Sequence, residues 1–303
     1  MNTVRTDVYA KLNLTLDILG RAEGYHEIDS LVLSVNLSDR ITARRRKDGL
    51  ISVTMHGMGS ESIPPEANAA QRAGEAFVNA FHTSGAYIVV HKNIPIGGGM
   101  GGSSADAAGV LNALAKLYGI DDFPAIKALA DSLGSDTGYL LTGGLARMRG
   151  RGEEVEFLGE PPKLNFLLLV PRSGVSTAEC YQRCDETPRE RPHTARALEC
   201  LNAGNFEWAA KLFHNDLYAA AKELNPEVEE AYLALKELSP WGVSMTGSGS
   251  AVFALFETEE LCAWAKSRYR GKCRSYVLKS VDPKKKKFLR NPFALNDNEL
   301  SGE

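Results

Sequence analysis

The chain has 303 residues, 44% of them hydrophobic and 24% charged, and its 35 Lys and Arg against 38 Asp and Glu leave a net charge of −3. That is enough sequence for two ordinary domains, with neither the basic field of a nucleic-acid binder nor an apolar run near the ~18 residues that a membrane span needs. Residues 1–7 carry neither an apolar signal core nor an Arg-rich transit segment, so a cytoplasmic protein is expected, with no nucleic acid and no membrane among its partners.

Residues 8–19 alternate as a strand, with Ala10, Leu12, Leu14, Leu16 and Ile18 on one face and Lys11 and Asn13 on the other. Read alone, Lys11 is a solvated edge charge. Residues 20–28 read as a turn into the apolar run 31–37, and further strands at 39–42 and 51–54 precede a polar loop with Pro64 and Pro65. Helical spacing covers 69–81, capped by Asn68. Residues 86–91 are then β-branched and aromatic enough for a strand.

Next comes Pro-Ile-Gly-Gly-Gly-Met-Gly-Gly-Ser-Ser-Ala-Asp-Ala-Ala at 95–108, followed by helical spacing to Leu117. Five of the six residues from 97 to 102 lack a Cβ, so this backbone can reach positive φ and approach a ligand closely. Ser103 and Ser104 are expected to cap the helix, whose N-terminal N–H groups and dipole favour a phosphate. Side chains at Gly101 or Gly102 are expected to fill phosphate space or forbid the required φ. Gly97, Gly99 and Gly102 satisfy G-x-G-x-x-G, but a dinucleotide fold wants a strand running straight into the first Gly, and Pro95 intervenes. A G-x-x-x-x-G-K-[ST] loop fails for want of its Lys. A flexible glycine linker is poorly suited to a position between strand and helix, where each Gly costs about 1 kcal/mol against Ala. A kinase phosphate loop without its own Lys remains.

A helix is expected over 124–133, ending in a turn at 133–139 that presents Asp136; alone this is an ordinary turn aspartate. Residues 143–152 read as a turn and strand, Pro161-Pro162 as a domain boundary, and 166–171 as a buried strand. Five cysteines (Cys180, Cys184, Cys200, Cys262, Cys273) form no C-x-x-C pair and read as buried thiols, Cys180 and Cys184 sharing a helix face. Helical spacing at 191–201, 206–221 and 226–238 leads to a small-residue loop, Thr246, Gly247, Ser248 and Gly249, and a strand to Phe256. Residues 284–287 are a solvated charge run and 296–303 a frayed end.

Three of these stretches, in this order, resemble the motifs of the GHMP kinases: residues 10–14 (Ala-Lys-Leu-Asn-Leu), the run from Pro95 to Ser104, and 244–251. The resemblance covers about residues 8–280 and implies an α+β, two-domain fold with the active site in the interdomain cleft: an N-terminal ATP-binding domain at 1–160, a C-terminal domain at 161–285 and a tail at 286–303. It implies that Pro95, Gly97, Gly98, Gly99, Met100, Gly101, Gly102, Ser103 and Ser104 lie over the phosphates of ATP, that Asn68 lies near the nucleotide, and that residues 246–249 support the loop and nearby substrate groups. Lys11 and Asp136 take the catalytic positions, Asp136 orienting the attacking hydroxyl and taking its proton late. Mg²⁺ is implied as well; its protein ligands are not legible, with Ser104 a candidate.

Gly20-Arg21 and Gly24-Tyr25-His26-Glu27 narrow the resemblance to the GHMP members that phosphorylate a cytidine diphosphate derivative of methylerythritol in the non-mevalonate isoprenoid route. That implies Asn13, Tyr25, His26 and Tyr181 on the substrate side, with Tyr25 and Tyr181 stacking on the base and His26 bonding its edge. The chain departs from the pattern at Ser103, Ala105, Thr137 and Gly138. A GHMP kinase for mevalonate, homoserine or a sugar would keep the loop and Asp136 without needing Tyr25, His26 or Tyr181; a non-catalytic nucleotide-binding module would keep only the loop. The molecule is expected as a monomer or homodimer.

Overall fold

The computed structural model describes residues 2–22, 24–57, 59–64, 68–187 and 191–286. The tail expected at 296–303, Lys287 of the charge run and Pro65 of the polar loop lie outside the described residues. In chain order the strands of the first sheet are β1 (Thr3–Asn13), β2 (Thr15–Ala22), β3 (Tyr25–Arg45), β4 (Ile51–Gly57), β5 (Ala86–Lys92), β6 (Leu145–Gly150) and β7 (Glu154–Phe157). Those of the second are β8 (Asn165–Val170), β10 (Gly242–Met245), β11 (Val252–Phe256) and β12 (Arg274–Lys279), while the short β9 (His214–Asn215) joins the first sheet beside β2. The helices are α1 (Ala69–Phe81), α2 (Gly102–Tyr118), α3 (Phe123–Leu133), α4 (Thr137–Leu140), α5 (Thr177–Cys184), α6 (Thr194–Asn202), α7 (Phe206–Ala210), α8 (Tyr218–Leu224), α9 (Pro226–Lys236), α10 (Glu259–Arg268) and the single turn α11 (Pro283–Lys286).

β3 is the hub of the first sheet. Its central run, residues 28–35, is buried throughout, as expected for a strand covered on both faces. Successive parts of it pair antiparallel with β2, β6, β1 and β5, so the β1–β2 junction and the end of β5 are held against one long strand. Helix α2 packs on β1 and β3, with α1, α3 and α4 beside it. In the second sheet, ordered β10-β11-β8-β12, side chains alternate between two cores. Phe166, Leu168, Phe253 and Leu255 join the core that contains Leu12 and Leu14, whereas Leu167, Leu169, Val252 and Ala254 join a second core with Leu16 and Ile18. The result is the α+β, two-domain fold expected. Among the described residues, no helix is long and apolar enough to cross a membrane.

Several expectations need correction. Residues 8–19 are two strands, because the chain breaks at Leu14, between β1 and β2, where its N–H bonds Leu31 O at 2.8 Å. The apolar face therefore divides between the two cores. The turn expected over 20–28 is a hairpin whose strands run through Ala22 and resume at Tyr25. Residues 206–221 are not one helix: His214 and Asn215 pair parallel with Thr15 and Leu16, and Asn215 Nδ2 donates to Met245 O (2.8 Å) and Gly247 O (2.9 Å). These tertiary bonds override local helical spacing. None of the five cysteines is in a disulfide; Cys180 and Cys184, both on α5, and Cys262 are buried as expected, whereas Cys200 and Cys273 are only half-buried.

Candidate active site

A cleft of about 550 Å³ lies where the two sheets meet, and the glycine run forms one wall. Gly97, Gly99 and Gly101 have φ of 71°, 70° and 75°, which only Gly adopts without strain, while Gly102 has no such requirement. The carbonyls of this run are tied to the rest of the protein. Gly97 O accepts from Ser250 N (3.0 Å), Gly98 O from Ala251 N (3.3 Å), Gly99 O from Thr246 Oγ1 (3.2 Å) and Met100 O from Lys11 N (3.2 Å). Among the described residues, no N–H from 97 to 104 donates to a protein acceptor, apart from any bond inside α2 itself. Helix α2 starts at Gly102 with Gly101 as its N-cap, so Ser103 and Ser104 stand in its first turn and do not cap it. Together these features make an anion cradle.

Lys11 and Asp136, far apart in sequence, meet beside the cradle: Lys11 Nζ is 3.5 Å from Asp136 Oδ2, with side-chain exposures of 5% and 28%. Lys11 is thus a buried cleft residue and not a solvated edge charge. Its ammonium also donates to Asn13 Oδ1, which accepts from Gly247 N at 3.0 Å, and Asn13 N donates to Thr246 Oγ1 at 3.0 Å. Ser248 lines the cleft, with its hydroxyl 2.8 Å from that of Thr177. Gly249 lines it too. The third loop therefore fixes both the glycine run and the lysine. Asp136 precedes α4 without capping it, which leaves its carboxylate to the cleft.

Asn68 caps α1 by accepting from Ala70 N (3.0 Å) and Gln71 N (3.2 Å), and it lines the opposite rim together with Pro64. Pro95 and Met100 are also on the wall. Sequence reasoning missed a charge cluster behind it. Lys92 donates to Asp39 and to Asp106 Oδ2 (2.8 Å), while Asp39 Oδ1 accepts from Ile94 N at 2.8 Å, anchoring the approach to Pro95. Burial pushes the Asp106 carboxyl up to about 7, against the pull of Lys92 and helped by the charge of Asp39. No local pattern announces this cluster, because strand and helix bring its members together. Replacing Lys92 with Met is expected to cost about 3–5 kcal/mol of stability, since two buried carboxylates lose their shared cation. Denaturant unfolding checks this, and a loss below about 1 kcal/mol would exclude a structural role for the cluster.

On the other side of Asp136, Tyr181 lines the cleft from α5, and His26 packs on it with ring centroids 4.9 Å apart. Burial, then the charge of Asp136, push the Tyr181 phenol up. His26 Nε2 is 2.8 Å from Asp185 Oδ1, so the side chain is already engaged, and Arg21 shares that carboxylate at 2.9 Å. Tyr25 is 57% exposed at the rim, with the Arg151 guanidinium 4.7 Å from its ring centre. Tyr25, His26 and Thr246 are not themselves on the cleft wall. Arg151 and Ser135 are, and neither was anticipated.

The models described as GHMP kinases N terminal domain and GHMP kinases C terminal match residues 68–144 and 197–266. A 4-diphosphocytidyl-2-C-methyl-D-erythritol kinase of Desulfitobacterium hafniense is 39% identical over 86% of this chain and 89% of its own length. One of Pelotomaculum thermopropionicum is 38% identical over 86% and 92%. Among solved structures, a 4-(cytidine 5'-diphospho)-2C-methyl-D-erythritol kinase is similar with a TM-score of 0.75 and 31% identity, over 91% of this chain and 99% of that one. A homoserine kinase from Cytophaga hutchinsonii reaches a TM-score of 0.70 at 18% identity over 93% and 95%, a likeness of fold alone.

Proposed function

The chain belongs to the GHMP kinases, with the 4-diphosphocytidyl-2-C-methyl-D-erythritol kinases, and from this we propose that it moves the γ-phosphoryl of ATP to the 2-hydroxyl of 4-diphosphocytidyl-2-C-methyl-D-erythritol. The observation that carries the reading is the Lys11–Asp136 pair beside a glycine run whose carbonyls are bonded away and whose amides are left for a ligand. Phosphoryl transfer asks mainly for positioning and charge stabilisation. The amides of residues 97–104 and the start of α2 hold the phosphates, Lys11 faces the transferred group, and Asp136 orients the attacking hydroxyl and receives its proton late. Asn13 keeps Lys11 in place and offers its remaining amide hydrogen to the substrate.

Mg²⁺ fits the donor set. Ser104 offers a hydroxyl from the first turn of α2, and Asp106 Oδ1 is a buried carboxylate oxygen without a protein partner. Bound there, the ion would offset phosphate charge. The domain boundary is proposed near residue 160, between β7 and β8.

The substrate assignment is tested by ADP release with the cytidine diphosphate derivative, mevalonate, homoserine and galactose. His26→Ala and Tyr181→Ala are each expected to raise KM for the cytidine substrate about tenfold or more and leave KM for ATP unchanged, as losing a base contact does. Free methylerythritol serving equally well would sink the assignment, and a fall in Tm without a selective KM change would make both residues packing groups only.

A further inference from the structure

Resting on that substrate reading, we propose that Arg151 binds the diphosphate of the acceptor substrate and so selects a nucleoside diphosphate ester over an uncharged alcohol. The cleft must admit two polyanions, yet its charged lining among the described residues is Lys11, Lys92 and Arg151 against Asp106 and Asp136. Two of the three cations are committed. Lys92 has a side-chain exposure of 2% and serves Asp39 and Asp106, while Lys11, at 5%, serves Asp136 and Asn13. Lys11 is given to the transferred phosphoryl, so Arg151, with 54% of its side chain exposed, is the cleft-lining cation among the described residues that is left for the acceptor's diphosphate.

Its placement favours the acceptor over ATP. Arg151 lies in the turn between β6 and β7, and a Cβ on the next residue, Gly152, would stand 3.5 Å from Ser135 Cβ and 3.8 Å from Ile28 Cδ1. The turn thus rests against the segment that presents Asp136 and against the strand that begins with Tyr25 and His26. Tyr25 supports the guanidinium at 4.7 Å, leaving its planar fork of donors for a pair of phosphate oxygens. Its ion pair to Glu153 Oε1, at 3.6 Å, is long and solvent-screened, so a diphosphate can displace it.

Calorimetric titration of the full chain with cytidine, CDP and ATP tests this. The wild type is expected to bind CDP about tenfold or more tightly than cytidine, the increment of a charge-assisted pair. Arg151→Gln should remove most of that difference and leave cytidine and ATP binding unchanged, with Arg151→Lys intermediate. An unchanged CDP-to-cytidine ratio in Arg151→Gln, or a loss confined to ATP, overturns the assignment. A wild type that binds neither cytidine nor CDP overturns the substrate reading itself, a separate result.

Discussion

Asp136→Asn and Lys11→Ala are each expected to lower kcat by on the order of 10²-fold or more, the range in which positioned acid–base groups act. ATP affinity should stay within a few-fold, because on the proposed reading the nucleotide would be held by the backbone of residues 97–104, whose N–H groups have no protein acceptor outside α2 among the described residues, and not by this pair. The two side chains are 3.5 Å apart, so the double variant should lose less than the product of the single losses. Single-turnover rates with saturating ATP measure the effect. Strict additivity would mean that the two residues act independently.

Gly99→Ala should be the most damaging single-atom change in the cleft. Its Cβ would stand 2.1 Å from Thr246 O and 3.0 Å from Gly249 O, both backbone atoms, at a φ of +70° that alone costs about 1–2 kcal/mol. Either the third loop moves off the glycine run or the fold is weakened, and both routes end ATP binding. Gly102→Ala is the control for the fold: its Cβ would meet Ile94 Cγ2 at 3.4 Å and Lys92 Nζ at 3.6 Å, with no positive φ, so it should keep the wild-type melting temperature. Melting temperature and ATP calorimetry compare the two, and a Gly99→Ala protein with wild-type values for both would refute the close-packing account.

What was legible in the sequence follows from how local each signal is. The strand, glycine run and helix from Ala86 to Tyr118 announce themselves by composition within one stretch, and the cap at Asn68 is a local hydrogen bond. Lys11 and Asp136 could be named only because neighbouring residues resemble family motifs; spacing alone left each an ordinary surface charge. Residues whose role depends on distant partners stayed hidden. The Asp39–Lys92–Asp106 cluster joins β3, β5 and α2, and Arg151 lies over the Tyr25 ring in a turn whose Gly152 abuts Ser135. The break at His214 and Asn215 is of the same kind, because it exists to pair with β2.

The tethering of the carbonyls at Gly97, Gly98, Gly99 and Met100 also bears on the entropy of nucleotide capture. Fixing a residue's backbone costs about 1–2 kcal/mol, and glycines lose the most freedom. A glycine run ordered only by its ligand would subtract that cost from every binding event. Here the loop at 246–251 and β1 order the run as the chain folds, so phosphates bound there, as proposed, would meet donors already in place and the interaction free energy would be expressed as affinity.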